Sequence, residues 1–322
     1  MPTRRKILCA AASIPIVGAN AVWAQQYPEK AIRILLSTGT GTAADATARY
    51  FTNGISKKLN VPVIIENRPG AGGLLAYTYV AKMPPDGYTI MLGGLPHHLL
   101  PLFSDGVPPF DTVKDFTPIA RVVRAPLALV VRADSQYKTI DDLLQALKSP
   151  DSKLTYSAQG KGSSAHLCAV MLNAIGNTTS TQIQYKDTTG AVLDVAAGRV
   201  DFTCQGSSSV LALIQAGRLR ALAVTSPKRW ESLPDVPSTA DTKLPGFEIW
   251  PGLDFLGPAN LPDAIVQTLS DAIMPIAQTA EYKAFCNRQS LLHEAIDHRS
   301  LKDVIAQEAA GWKRVAAMAR NS

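Results

Sequence analysis

A glycine-rich stretch near the start of the chain has the residue types and spacing of an anion-binding turn. It reads STGTGTAAD at residues 37–45 and follows the apolar run IRILL, where a strand is expected to lead into a helix. The spacing Gly39-x-Gly41-x-x-Ala44 fits a relaxed dinucleotide-binding fingerprint, and Glu66 lies near the distance expected for a ribose-binding acid. A phosphate cradle for a dinucleotide is therefore one hypothesis.

The pattern occurs a second time in the other half of the chain. A shift of 121 positions (160 − 39) places GTGTAAD at 39–45 over GKGSSAH at 160–166, with Gly, Thr or Ser, and Ala at matching positions. Glycine lets the backbone approach a ligand closely, and a helix that starts at a hydroxyl residue presents N–H groups that attract an anion. Two facing turns of this kind predict a carboxylate held in a cleft between two domains, without an arginine.

Strand-like runs alternate with helical patterns along the chain, and this alternation predicts two α/β domains. Each domain is expected to contain a mostly parallel sheet flanked by helices. We predict domain 1 from residues 25–125 plus 253–322, and domain 2 from residues 126–252, with the chain crossing near 125 and 252. After WPGLDFLGP at residues 250–258 only helical patterns are apparent, and those helices would complete domain 1.

The first residues, MPTRRKILCAAASIPIVGANAVWAQ, predict an export signal at residues 1–24, cleaved near Ala24 by the Sec or the twin-arginine route. A membrane anchor is the weaker alternative because Pro15, Gly18 and Asn20 interrupt the apolar stretch. Removing three basic residues leaves 29 Lys and Arg against 26 Asp and Glu, a net charge of +3. The remaining basic residues are scattered, so no nucleic-acid site is expected.

Other chemistries lack the residues they need. A P-loop would require glycine at Thr155, and the serine-rich stretches at 162–166 and 206–210 lack the second glycine of a nucleophile elbow. His97 and His98 are adjacent and poorly placed to share a metal, so we expect a loop near the cleft instead. Three cysteines follow the signal, and this odd count argues against a disulfide framework. They are Cys168, Cys204 and Cys286.

Several motifs together resemble the tripartite tricarboxylate transporter substrate-binding proteins, also called the Bug family of periplasmic receptors. ENRPGAGG followed by PPDGYT is quite specific, and the resemblance covers nearly the whole mature chain from about Tyr27 onward. It implies a two-domain periplasmic-binding-protein fold that closes on a small organic anion and delivers it to a membrane permease. Its implied carboxylate-binding loops coincide with the two turns found by the internal shift.

The predicted ligand-binding residues combine both loops with later residues that are expected to contact the rest of the ligand. Asp45 and His166 have the alternative of being ordinary first-turn residues. The family's first loop usually contains a proline and a second glycine, where this chain has Gly39 and Thr42. Many members carry an acid at Gln205, and its absence disfavours amino-acid ligands. The predicted set is Thr38, Gly39, Thr40, Gly41, Thr42, Asp45, Ser157, Gln159, Gly160, Gly162, Ser163, Ser164, His166, Lys186, Asp187 and Gln205.

The favoured interpretation is an exported, monomeric solute receptor with no catalytic activity, no cofactor and no metal. Its partners would be a mono-, di- or tricarboxylate and the permease subunits. One alternative is a secreted NAD(P)-dependent oxidoreductase that uses the loop at 39–44 with Glu66, although no acid or base group in the second half stands out by its spacing. The other is an exported structural or adhesive domain, which the paired loops disfavour.

Overall fold

The structure is a computed structural model and describes residues 27–94, 96–102, 107–242, 244 and 246–320. The export signal predicted for residues 1–24 lies outside the described residues. Within the described ranges, no helix is both long and apolar enough to cross a membrane.

Strands and helices alternate through most of the described chain, as predicted. The strands are β1 (Ile32–Leu36), β2 (Val63–Asn67), β3 (Thr89–Gly93), β4 (Phe116–Arg124), β5 (Leu127–Arg132), β6 (Thr155–Ala158), β7 (Thr181–Gln184), β8 (Phe202–Gly206), β9 (Leu219–Val224), β10 (Gly252–Pro258) and β11 (Leu292–Asp297). The helices are α1 (Ala43–Leu59), α2 (Leu74–Ala81), α3 (Pro96–Leu99), α4 (Ile140–Leu147), α5 (Ser164–Gly176), α6 (Thr188–Ala196), α7 (Ser207–Gln215), α8 (Asp263–Ala277), α9 (Ala280–Arg288) and α10 (His298–Arg320).

The strands form two sheets. The first has the order β11-β4-β10-β3-β1-β2, and the second has the order β7-β6-β8-β5-β9. We call the first sheet with α1 to α3 and α8 to α10 the first lobe, and the second sheet with α4 to α7 the second lobe. Each lobe has its own apolar core, formed where the buried faces of the strands meet the helices. The division into domains at residues 125 and 252 stays a prediction.

Both sheets are mixed, so the expectation of mostly parallel sheets is wrong. β1 pairs in parallel with β2 and β3, but the three other pairings of the first sheet are antiparallel. In the second sheet, β5 is antiparallel to β8 and β9. The reason is the route of the chain, which leaves the first sheet along β4 and returns along β10 without a crossover helix. These two strands must therefore run in opposite directions.

A strand also occurs in the segment that was expected to be entirely helical. β11 lies at the edge of the first sheet, with an irregular register between His293 and Ile296 against β4. All six of its residues are only partly buried, and it contains Glu294 and Asp297. An edge strand with this composition lacks the apolar alternation by which strands are recognised in a sequence.

A buried ion-pair network joins the two strands that lead between the lobes. Arg121 on β4 is fully buried, and its guanidinium donates to Asp254 on β10 at 2.7 and 2.9 Å. The same guanidinium donates to Glu308 on α10 at 2.7 and 2.8 Å. Further along α10, Trp312 packs against the core of the second lobe. The network therefore fixes β4, β10 and α10 together where the lobes meet.

One disulfide joins Cys168 on α5 to Cys204 on β8, while Cys286 is a buried free thiol. The odd cysteine count was therefore a poor guide, because one pair and one free thiol satisfy it. Both bonded cysteines are within the second lobe's core, where α5 packs against β8. His97 and His98 are also buried, at 1% and 5% exposure, in α3 rather than in a loop near the cleft.

Candidate functional site

A cavity of about 190 Å³ lies between the two lobes. Its wall contains first-turn residues of four helices, and backbone N–H groups at such positions have no partner within their own helix. Because the aligned peptide dipoles make each helix N-terminus partly positive, the wall favours an anion. These residues are Ala43 and Ala44 of α1, Ser164 of α5, Thr188 and Thr189 of α6, and Ser208 and Ser209 of α7.

The first predicted loop is ordered by hydrogen bonds around Thr42, which caps α1. The Thr42 hydroxyl accepts from the Asp45 N–H at 3.4 Å and lies 3.1 Å from the Gly39 carbonyl oxygen, to which it donates. It also lies 2.8 Å from the Thr38 hydroxyl. Gly41 has a φ of +79°, a conformation that a residue with a Cβ adopts only with strain.

Asp45 supports this loop from behind. Its carboxylate accepts from the Gly41 N–H at 3.1 Å, from Arg49 at 3.0 Å and from Asn67 at 3.2 Å. Burial alone would raise the pKa of this carboxyl, but the hydrogen bonds from Arg49, Gly41 and Asn67 outweigh burial and lower it. Asp45 is therefore ionised at neutral pH, and it is absent from the cavity wall.

The second loop repeats this arrangement with different side chains. The Ser163 hydroxyl accepts from the His166 N–H at 3.3 Å and donates to the Gly160 carbonyl oxygen at 2.9 Å. The Gly162 N–H donates to His166 Nδ1 at 3.4 Å, as the Gly41 N–H does to Asp45. Burial, followed by the charge of Lys161, lowers the pKa of His166 to about 4. The imidazole is thus neutral at pH 7, as an acceptor at Nδ1 must be.

Charged side chains contribute little to the wall. Among the described lining residues, Lys186 and Asp187 are the ionisable ones. Asp187 Oδ1 already accepts from the Gly190 N–H at 2.8 Å, because Asp187 caps α6. An anion in this cavity would therefore meet helix termini, hydroxyl groups and one ammonium group. In the described ranges, no group of three or more His, Cys, Asp or Glu is placed to hold a metal ion.

An apolar surface completes the cavity beside the segments where the chain passes between the lobes. Leu127 belongs to β5 and Leu253 to β10, while Leu92 comes from β3. Ala125 and Pro251 lie in the two crossing segments, and the Ala125 N–H donates to the Pro251 carbonyl oxygen at 2.8 Å. A ligand in this cavity would contact polar groups at its ionised end and hydrocarbon elsewhere.

The structure brings ten of the sixteen predicted residues to the cavity wall. The other six lie in or behind the loops; Ser157, for example, is fully buried and donates to the Ala191 carbonyl oxygen of α6 at 2.9 Å. Whether any of the sixteen binds a ligand stays a prediction. Those on the wall are Thr38, Gly39, Thr40, Thr42, Gln159, Ser163, Ser164, Lys186, Asp187 and Gln205, and those behind it are Gly41, Asp45, Ser157, Gly160, Gly162 and His166.

Sequence reasoning missed several parts of the wall, two of which are continuous segments. One is the turn that precedes α2, which includes the short 3₁₀ helix Ala71–Gly73. The other is the start of α7, where serines follow Gly206, the last residue of β8, much as glycine and hydroxyl residues follow the strands before the two predicted loops. That third strand–glycine–hydroxyl pattern was the available signal. The missed residues are Ser37, Ala43, Ala44, Pro69, Gly70, Gly72, Gly73, Leu92, Gly94, Ala125, Leu127, Thr188, Thr189, Gly206, Ser208, Ser209, Pro251 and Leu253.

Glu66, the candidate ribose-binding acid, is absent from the cavity wall. Its carboxylate accepts from Arg68 at 2.7 Å and lies 3.6 Å from Arg33. These contacts fix the turn that follows β2.

Comparisons with known proteins agree with this fold. The model of the tripartite tricarboxylate transporter family receptor matches residues 47–320. The periplasmic binding protein BugD superposes with a TM-score of 0.83 at 26% identity, covering 91% of this chain and 98% of BugD. These similarities confirm the predicted α/β class and the periplasmic-binding-protein fold.

Two similar structures contain small carboxylates. Rpa4515 of R. palustris, solved with adipate, has a TM-score of 0.84 at 26% identity, covering 91% of this chain and 98% of its own. MatC of Rhodopseudomonas palustris, solved with bound malate, has a TM-score of 0.82 at 25% identity, covering 90% and 100%.

Proposed function

Because the chain belongs to the tripartite tricarboxylate transporter receptor family, we propose that it binds a small organic carboxylate between its lobes and delivers it to the permease of such a transporter. The observation that carries this proposal is the pair of matched loops, one in each lobe, that start α1 and α5 at the cavity wall. The receptor would act as a monomer in the periplasm, exported by the signal at residues 1–24.

Helix termini are sufficient for the ionised end of such a ligand. One terminus favours a negative group by roughly 0.3 to 1 kcal/mol at the surface and by up to about 2 kcal/mol when partly buried. First-turn residues of four helices line this cavity, and their free N–H groups add hydrogen bonds that are stronger because the acceptor is charged. No covalent chemistry is required, and the related carboxylate complexes support this ligand class.

Contacts between the lobes support binding by closure. The Ser207 hydroxyl at the start of α7 donates to the Gln289 carbonyl oxygen at 2.5 Å, and the hydroxyls of Ser232 and Ser290 form a hydrogen bond. A Cβ added to Gly72, in the turn before α2, would lie 3.0 Å from the Lys161 carbonyl oxygen, so this turn of the first lobe already touches the second loop. A ligand that contacts both lobes would favour this closed arrangement over an open one.

The proposal is tested with purified mature protein and a panel of mono-, di- and tricarboxylates. A thermal-shift screen should find acids that raise the melting temperature, because a ligand that binds only the folded state stabilises it. Calorimetry then gives the dissociation constants. Failure of every carboxylate to bind would contradict the proposal.

A matched pair of glycine variants separates loop geometry from general strain. Gly41 and Gly217 have φ values of +79° and +65°, and a Cβ on either would meet nothing within 4 Å. Both Gly41→Ala and Gly217→Ala should therefore cost about 1 to 2 kcal/mol of stability. Only Gly41→Ala should weaken carboxylate binding, by about tenfold or more, since only Gly41 shapes an anion-binding loop. Equal affinities in the two variants would argue against the paired-loop site.

A further inference from the structure

Gln205 has a buried carboxamide at the cavity. It is the fourth residue of β8, is 5% exposed and lines the cavity. Its Nε2 donates to the Thr203 hydroxyl oxygen at 3.3 Å. Thr203 lies two residues earlier on the same face of the strand and is 1% exposed.

The next hydrogen bond fixes which way this carboxamide points. The Thr203 hydroxyl gives its single proton to the Ser157 carbonyl oxygen at 2.8 Å. Its oxygen can therefore only accept from Gln205. Turning the carboxamide over would place Oε1 against an oxygen with no proton left to donate, so Nε2 stays on the Thr203 side and Oε1 on the other.

Gln205 Oε1 has no hydrogen-bond partner among the described residues. This oxygen is not fully enclosed by protein atoms. Because Gln205 lines the cavity, the space that the oxygen reaches is the cavity. A buried acceptor that has lost water and gains no donor costs binding energy. A ligand that fills the cavity must therefore bring a donor to this oxygen or lose affinity.

The other lining amide does not impose this requirement. Gln159 is less buried, and its Nε2 lies 3.2 Å from the Thr188 hydroxyl. The Thr188 hydroxyl makes no other hydrogen bond in the described part, so it can donate or accept, and the Gln159 carboxamide can adopt either orientation. Gln159 is thus an adaptable contact, whereas Gln205 is a fixed acceptor.

We propose that Gln205 Oε1 accepts a hydrogen bond from a hydroxyl group of the ligand, so that the receptor selects hydroxycarboxylates over the matching acids without the hydroxyl. This inference rests on the proposed function, since it adds a second contact to a bound carboxylate. An ammonium group is disfavoured at the same position because Gln205 is neutral and the surrounding helix N-termini repel a cation.

The test compares triplets of acids that differ at one carbon by a hydroxyl, a hydrogen or an ammonium group. Malate, succinate and aspartate form one such triplet, and lactate, propionate and alanine form another. Further triplets are chosen with the carbon skeleton of any acid that binds in the thermal-shift screen. In calorimetry at neutral pH, the hydroxy acid should bind about 10 to 100 times more tightly than the other two. Equal binding of hydroxy and deoxy acids by the unchanged protein would overturn the inference.

Two matched glutamine variants test whether Gln205 causes the preference for hydroxy acids. Gln205→Met keeps the side-chain volume but removes the acceptor, so the hydroxy and deoxy acids should bind within about threefold of each other. Gln159→Met should retain the preference even where it changes the overall affinity. Retention of the preference in Gln205→Met, or its loss in Gln159→Met alone, would refute the assignment. Tighter binding of the amino acid would refute the inference that the ligand's donor is a hydroxyl group. Binding of no acid at all would contradict the proposed function itself.

Discussion

The Ser207 hydroxyl donates to the Gln289 carbonyl oxygen at 2.5 Å, and this hydrogen bond joins the start of α7 in the second lobe to the end of α9 in the first. Ser207 is fully buried, while its neighbours Gly206 and Ser208 line the cavity. The contact therefore lies beside the site but outside its wall. A hydrogen bond in this position would stabilise the proposed closed arrangement without touching a ligand.

Replacing this hydroxyl should weaken binding through faster release. For Ser207→Ala we expect a dissociation constant about 3 to 10 times higher, as the loss of about 1 kcal/mol from the closed state implies. Ser56→Ala is the control, because the Ser56 hydroxyl donates to the Val61 carbonyl oxygen at 2.8 Å within one lobe. Stopped-flow measurements should assign the change to the dissociation rate in Ser207→Ala only. A similar effect in both variants would mean that the contact does not report closure.

The disulfide between Cys168 and Cys204 should contribute both to stability and to the site. It closes a loop with a sequence separation of 36, for which chain-entropy arguments give about 3 to 4 kcal/mol. It also fixes α5, whose first turn carries Ser164 on the wall, to β8, which carries Gln205.

Urea unfolding of the wild-type protein should therefore shift to lower concentration on reduction, with weaker carboxylate binding. Cys168→Ala/Cys204→Ala should show both effects without a reductant. Cys286→Ala should remain sensitive to the reductant, because that buried thiol is free. If reduction left the stability of the wild-type protein unchanged, the proposed role of the disulfide would be contradicted.

The sequence allowed the two loops to be predicted because each is a local unit. Glycine, a hydroxyl cap and a helix start follow one another within seven residues, and their hydrogen bonds connect residues three or four apart. The start of α7 uses the same pattern, but only the tertiary fold shows that it reaches the same cavity. The orientation of Gln205 is still further from the sequence, since it depends on Ser157, which is 46 residues from Thr203.

The strand directions were less predictable for a related reason. Alternating elements indicate βαβ units, and β1, β2 and β3 are parallel as such units require. β4 and β10 follow another rule, because they carry the chain between sheets and are paired across a long stretch of sequence. Their apolar content resembles that of any buried strand and therefore does not reveal their direction. The direction is set by the passage of the chain from one sheet to the other.

Stability should fall at acid pH because of His166. The unfolded chain binds a proton at this residue near pH 6.5, whereas the folded protein binds it only near pH 4. The free energy of unfolding should therefore decrease as the pH falls from about 6.5 to about 4 and level off below, with a total contribution of at most about 3 kcal/mol. His166→Gln retains an acceptor for the Gly162 N–H but does not titrate, so urea unfolding at several pH values should show a smaller decrease for the variant. Parallel pH profiles for the two proteins would contradict a neutral, buried His166 behind the second loop.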